Sequence, residues 1–257
     1  LSKRKTGALR KADAKMTNIR KHTDQTFYTN ESKTIQFDTL RPKKTSVIQL
    51  VPKSINQEKY ILELLDPNTH IVIGTGPAGT GKTYLAMLAA IKALKTQQVD
   101  KILLTRPAVG VDDEKHGFLP GDINAKMEPW TRPLFDVLRE FYTAKEITHM
   151  LDEQIVEIAP LAFCRGRNFK NSFVIVDESQ NCTPNQLKMI MTRIGVGTKI
   201  VITGDIEQTD RKKLDNGLLD LQKRLETKKV EGIEVCNFTY KDVQRHHIIE
   251  HILEMYK

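Results

Sequence analysis

The residues with the plainest chemistry stand together. Gly76, Pro77, Ala78, Gly79, Thr80, Gly81, Lys82 and Thr83 fit G-x-x-x-x-G-K-[ST], the spacing of a loop that wraps nucleotide phosphates. Gly76, Gly79 and Gly81 open backbone angles closed to other residues, so successive N–H groups can converge on phosphate oxygens above a helix N-terminus. Lys82 brings a point charge to the β- and γ-phosphates, and Thr83 offers a hydroxyl to Mg²⁺. Tyr84 completes the set of expected nucleotide contacts. The run follows His70-Ile71-Val72-Ile73 and precedes Leu85-Ala86-Met87-Leu88, the strand, glycine turn and helix order that such a loop requires.

Two further polar clusters follow apolar runs. Phe173-Val174-Ile175-Val176 leads into Asp177-Glu178-Ser179-Gln180, which places two carboxylates at the C-terminal end of a strand, where open α/β sheets build their sites. Asp177 is the expected Mg²⁺-side carboxylate, opposite Thr83, and Glu178 the expected base for an attacking water. Lys199-Ile200-Val201-Ile202-Thr203 leads into Gly204-Asp205-Ile206-Glu207-Gln208. Gln208 is placed to sense the γ-phosphate, because an amide can donate to phosphate and accept from water.

The elements that must position these clusters read as an alternating α/β chain. Strands are expected at Ile71–Gly74, Lys101–Thr105, Ile155–Ala159, Phe173–Val176, Lys199–Thr203 and Ile233–Phe238. Helices are expected at Gln57–Leu65, Lys82–Lys95, Thr131–Phe141, Asn185–Arg193 and Leu214–Leu225, with a last one near Val243–Met255. Short strands apolar on both faces indicate a parallel sheet covered by helices.

The net charge of +8 is concentrated: residues 1–45 hold twelve Lys and Arg against four acids, and the remainder is balanced. The expectation is therefore a basic arm at 1–45, contacting nucleic acid phosphates or serving as a solvated tail, before an ATPase domain at 46–257. No apolar stretch approaches the roughly 20 residues that span a bilayer. Cys164, Cys182 and Cys236 are isolated, which fits a reducing cytoplasm, the host's if the chain is phage-encoded, rather than a disulfide framework or cysteine zinc site. His247 and His251 have i, i+4 spacing, but no third ligand pattern accompanies them and no metal is expected there.

The order G-x-x-x-x-G-K-T, D-E-S-Q, G-D-x-x-Q resembles the first motor domain of superfamily 1 helicases, a RecA-like P-loop fold. It is more closely similar to the PhoH family, through Thr105-Arg106-Pro107-Ala108-Val109, Gly117-Phe118-Leu119-Pro120-Gly121-Asp122, Ile158-Ala159-Pro160 through Gly166-Arg167, and Leu187-Lys188-Met189 through Gly197. The resemblance covers about 46–257 and departs at Ser179, where many relatives have alanine.

The resemblance implies ATP binding and hydrolysis with Mg²⁺, and association with single-stranded RNA or DNA. By position it makes Gln57 a reader of the adenine edge and Arg106 a contact to the nucleic acid strand. Helicases close the ATP site with arginines from a second motor domain, for which this sequence shows no second set of motifs. That leaves Arg245, Arg165 or Arg167 as arginines donated by a neighbouring copy in a ring-like homo-oligomer. The expected function is thus an ATPase acting on single strands, with helicase activity within its range. A nucleotide-switched binding module without motor action is the alternative. A small-molecule kinase is disfavoured, since neither a phosphoacceptor pocket nor an arginine-rich lid is evident.

Overall fold

A computed structural model describes residues 47–107, 135–209 and 216–244, together with Met255. The basic arm, the Gly117–Asp122 stretch, Arg245 and nearly all of the terminal helix expected at Val243–Met255 lie outside these residues. Val243 and Gln244 are described and are not helical.

All six expected strands form, each within one residue of its expected bounds. They are β1 (Ile71–Thr75), β2 (Lys101–Arg106), β3 (Val156–Pro160), β4 (Ser172–Val176), β5 (Lys199–Gly204) and β6 (Ile233–Asn237). They make one sheet in the order β3-β2-β4-β5-β1-β6, and every pairing is parallel. Because β5 lies between β1 and β4, its C-terminal end falls between the phosphate loop and the acid pair.

The pleat sends alternate side chains to opposite faces. Val72, Ile102, Leu104, Phe173, Ile175 and Val201 join one buried cluster, under α1 (Ile55–Leu65), α2 (Lys82–Lys95) and α3 (Ala144–Asp152). Ile71, Ile73, Leu103, Val174, Val176, Ile200 and Ile202 join the other, under α4 (Pro184–Met191) and α5 (Gly217–Thr227). Burial on both faces is why the strands read as unbroken apolar runs. The result is the expected RecA-like architecture, a parallel sheet flanked by helices.

The helices differ from expectation mainly at their caps. α1 starts at Ile55 because the Ser54 hydroxyl accepts from the Gln57 N–H at 3.2 Å. α4 starts at Pro184, after a capping box in which Thr183 and Gln186 satisfy each other's N–H groups, and α5 runs from Gly217 rather than Leu214. Helix is present over 135–141, the described part of the expected Thr131–Phe141. The sequence reading missed α3: its core contribution is limited to Ile147 and Met150, but its capping box, Thr143 with Glu146, was a readable start signal.

Candidate functional site

Four adjacent strands carry the site in a row along their C-terminal ends. Arg106 ends β2, Asp177 follows β4, Asp205 follows β5, and the phosphate loop follows β1. A cavity of about 300 Å³ lies there, lined by Gly79, Lys82, Thr83, Arg106, Asp177 and Glu178 among others. Ala78, Gly81, Tyr84, Asp205 and Gln208 also face it. Residues as far apart in sequence as Ala78 and Gln208 therefore converge on one crevice.

The loop is built as its glycines require. Gly76 has φ +134°, and a Cβ there would meet the Phe238 carbonyl oxygen at 2.3 Å, so only glycine fits. Gly81, at φ +83°, is the N-cap of α2, which aims the first N–H groups of that helix into the cavity. The Lys82 ammonium is buried and donates to the Gly76 and Pro77 carbonyls at 2.6 and 2.7 Å and to the Thr80 hydroxyl at 3.2 Å. Burial lowers its pKa, while Asp205, Asp177 and Glu178 act in the opposite direction. Outside the loop, the Gln244 N–H donates to the Gly79 carbonyl at 2.9 Å, and the Phe238 N–H donates to Thr75 O at 2.7 Å. The segment after β6 thus buttresses the loop.

Asp177 is the hub. Its Oδ1 accepts from the Thr83 hydroxyl at 2.8 Å and from the Thr203 hydroxyl at 2.7 Å. Its Oδ2 accepts from Arg106 Nε at 3.0 Å and from Arg106 Nη2. The pairing of Thr83 with Asp177 across the sequence brings together the two hard oxygen donors that a Mg²⁺ site of this kind uses. Among the described residues no group of three or more His, Cys, Asp or Glu could hold a metal. The hydroxyl of Thr83 and the carboxylate of Asp177 are a donor set that fits Mg²⁺, which needs few protein ligands.

Glu178 is exposed beside the buried Asp177. Its backbone is left-handed, φ 54°, and its Oε2 accepts from Gln180 Nε2 at 2.6 Å. Ser179, the departure from the family pattern, is fully buried and donates to the Thr203 carbonyl at 2.7 Å. After β5, Asp205 Oδ1 accepts from the Glu207 N–H at 3.0 Å and the Asp205 carbonyl accepts from the Gln208 N–H at 3.1 Å. This turn sets Gln208 on the cavity wall with an exposed side chain.

Three side chains named from the sequence are engaged within the chain. Arg106, expected on a nucleic acid strand, is instead bound to Asp177 inside the nucleotide crevice. The distance in sequence between them, 71 residues, is closed by the pairing of β2 with β4. Arg167 is held by Glu157 through two hydrogen bonds of 2.5 and 2.8 Å, so its fork is occupied within the chain. Gln57 is buried, and its amide joins the loop to the chain before α1: Nε2 donates to Thr80 O at 3.0 Å, and Oε1 accepts from the Lys53 N–H at 2.7 Å. Arg165 is exposed after β3, and Arg245 lies outside the described residues. The sequence reading missed Gln180 and Thr203. Only the fourth place of D-E-S-Q signalled the first, and nothing marked the second.

The family model for "PhoH-like protein" matches residues 49–257. A PhoH-like protein of Synechocystis is 44% identical over 205 residues, covering 80% of this chain and 61% of the relative. One of Bacillus subtilis is 43% identical over 205 residues, 79% and 63% of the two chains. Protein PhoH of Escherichia coli is 40% identical over 189 residues, 72% and 52%. The match thus spans about half to three-fifths of these relatives. Among solved structures, the Sulfolobus solfataricus SWI2/SNF2 ATPase core in complex with dsDNA aligns at TM-score 0.40 and 15% identity over 70% of this chain and 36% of its own. With the P-loop, the acid pair and the third cluster joined at one sheet edge, and the family match running through all of them, the chain belongs to the PhoH-like family of P-loop proteins.

Proposed function

We propose that the chain hydrolyses ATP with Mg²⁺ and couples that cycle to binding or remodelling single-stranded RNA or DNA. The observation that carries the hydrolytic part is the direct bond between Thr83 and Asp177 beside the phosphate loop, with the exposed Glu178 carboxylate next to it. In this reading, the loop N–H groups and Lys82 hold the phosphates. Bound Mg²⁺ would neutralise phosphate charge between Thr83 and Asp177. Glu178 accepts a proton from water as its oxygen attacks the γ-phosphorus, and the bond to the β–γ bridging oxygen breaks to leave ADP and phosphate. Gln208 reports the γ-phosphate to the loop after β5. Gln57, through its second N–H, reads the base.

The polymer part rests on the charge of the arm. With Arg106 in the nucleotide crevice, the twelve cations of residues 1–45 are the main electrostatic footprint for a phosphate backbone. An arginine at the terminal phosphate can come from a neighbouring copy, through Arg165 or Arg245 in a ring, or from within the chain. The test of coupling is ATP turnover with and without single-stranded RNA and DNA at low salt. Stimulation by one polymer, weakening steeply as salt rises, is the expected result. Turnover indifferent to both overturns the coupling and favours a nucleotide-switched binding module.

A further inference from the structure

We propose that Arg106 is the phosphate-side arginine of this site, acting in cis: its guanidinium fork passes from Asp177 to the terminal phosphate of a bound nucleoside triphosphate. The inference rests on the nucleotide reading of the crevice given above. It removes the need for an arginine from a second copy.

Four observations carry it. Arg106 ends β2 and lines the same cavity of about 300 Å³ as Lys82, Thr83, Glu178 and Gln208. Its side chain is 20% exposed where that of Asp177 is 5% exposed, so the cation lies nearer the open side of the pair. Both of its bonds go to one oxygen, Asp177 Oδ2, while the two threonine hydroxyls occupy Oδ1. The carboxylate is therefore saturated, and a metal entering between Thr83 and Asp177 must displace at least one of these donors. Arg106 is the donor a divalent cation repels.

The chemistry of the exchange is simple. A planar fork that suits a carboxylate suits a phosphate equally well. When the metal takes up the negative charge of Asp177, the other carboxylates lining the crevice are already engaged, Glu178 by Gln180 and Asp205 by the Glu207 N–H, which leaves the phosphate chain, whose terminal group carries most charge, to take the fork. Adenosine diphosphate lacks that group. Arg106 thus distinguishes triphosphate from diphosphate, and contacts the reacting phosphoryl group as a catalytic residue.

The test compares affinities for fluorescent ADP and for a fluorescent ATP analogue with a β,γ-imido bridge, both with Mg²⁺, in the wild type, Arg106→Ala and Arg106→Lys, alongside ATP turnover. Arg106→Ala is expected to lose about 10- to 100-fold in affinity for the triphosphate analogue, the value of a charge-assisted hydrogen bond, and to change ADP affinity by less than about threefold on the same scale. Turnover should fall by about 10³-fold or more. Arg106→Lys should keep part of the discrimination, having the charge without the fork. Equal losses for both nucleotides would mark Arg106 as a brace for Asp177 and overturn the proposal, as would no change for either. Thermal unfolding of each variant separates these results from misfolding, and Arg106→Lys serves if the alanine variant does not fold. A wild type that binds both nucleotides without turnover defeats the hydrolysis reading, while the affinity ratio still decides the role of Arg106. A wild type that binds neither overturns both.

Discussion

Gln180 holds Glu178 by a 2.6 Å bond from its Nε2 to the carboxylate Oε2. The same amide accepts from the Asp205 N–H at 3.1 Å through its Oε1, and its backbone carbonyl accepts from the Thr209 hydroxyl at 3.1 Å. One buried side chain thus links the expected base after β4 to the turn that carries Gln208 after β5. Glu178 sits at φ 54°, a conformation costing about 1 kcal/mol or more for a residue with a Cβ, and the Gln180 bond helps hold it there.

Gln180→Ala should therefore lower the kcat for ATP about 10-fold or more by freeing the base, with KM less affected. Gln180→Glu should set a like charge beside Glu178 in place of its hydrogen-bond donor and lower kcat at least as far as the alanine variant does. A purely structural role would lower the Tm of both variants and leave the kcat of the folded protein in place.

Gly204, at the end of β5, packs closely against the segment after β4 and against α5. A Cβ there would lie 2.7 Å from Gln180 Oε1, Leu218 Cδ2 and Ser179 Oγ. Gly204→Ala should cost about 1–3 kcal/mol by overpacking, seen as a lowered urea midpoint, and should disturb turnover through Gln180. Stability within about 0.5 kcal/mol of wild type would show that the packing gives way freely.

Asp242 ties the start of α1 to the segment that buttresses the loop. It accepts from Asn56 Nδ2 at 2.8 Å and from the Thr239 N–H and hydroxyl at 2.7 and 3.0 Å. Burial alone would raise its pKa, but hydrogen bonds from Ser54, Asn56 and Thr239 outweigh it and bring the pKa down to about 2. The unfolded value is about 3.9, so the stabilisation is complete above that pH and is lost as the pH falls towards 2. Asp242→Asn should cost about 2 kcal/mol at neutral pH, with the gap to wild type closing in acid, and should weaken nucleotide binding because Gln244 lies two residues on. Denaturant melts at several pH values check the sign; a gap that widens in acid contradicts it.

Arg167 is a structural partner. Its hydrogen bonds lead the causes that hold the Glu157 pKa below its ordinary value, against the effect of burial. Arg167→Ala should lower stability by about 1 kcal/mol, the pair being partly exposed, and more above the unfolded carboxylate pKa than below it. ATP turnover should stay within about twofold of wild type, the margin expected for a residue away from the crevice. A hundredfold fall in turnover at unchanged stability would return Arg167 to the list of phosphate contacts.

The sheet was legible because its strands are buried on both faces: Phe173 to Val176 and Ile200 to Ile202 are apolar without interruption. The phosphate loop and acid pair were legible because their chemistry is local in sequence. What was not legible depends on which strands are neighbours. Arg106 belongs to the nucleotide crevice because β2 pairs with β4, and Thr203 reaches Asp177 because β5 pairs with β4. Helix α3 escaped because its outward face is polar and its buried face rests on two residues.

The central claim is that Thr83, Asp177 and Glu178 form a Mg²⁺-dependent hydrolytic site for ATP. The most direct measurement is phosphate release from ATP by the wild type, Lys82→Ala and Glu178→Gln, with Mg²⁺ and with EDTA, together with nucleotide affinity for each. The account predicts turnover in the wild type that EDTA abolishes, loss of both binding and turnover in Lys82→Ala, and retained binding with turnover reduced about 10²-fold or more in Glu178→Gln. Wild-type turnover that Glu178→Gln leaves intact would contradict it.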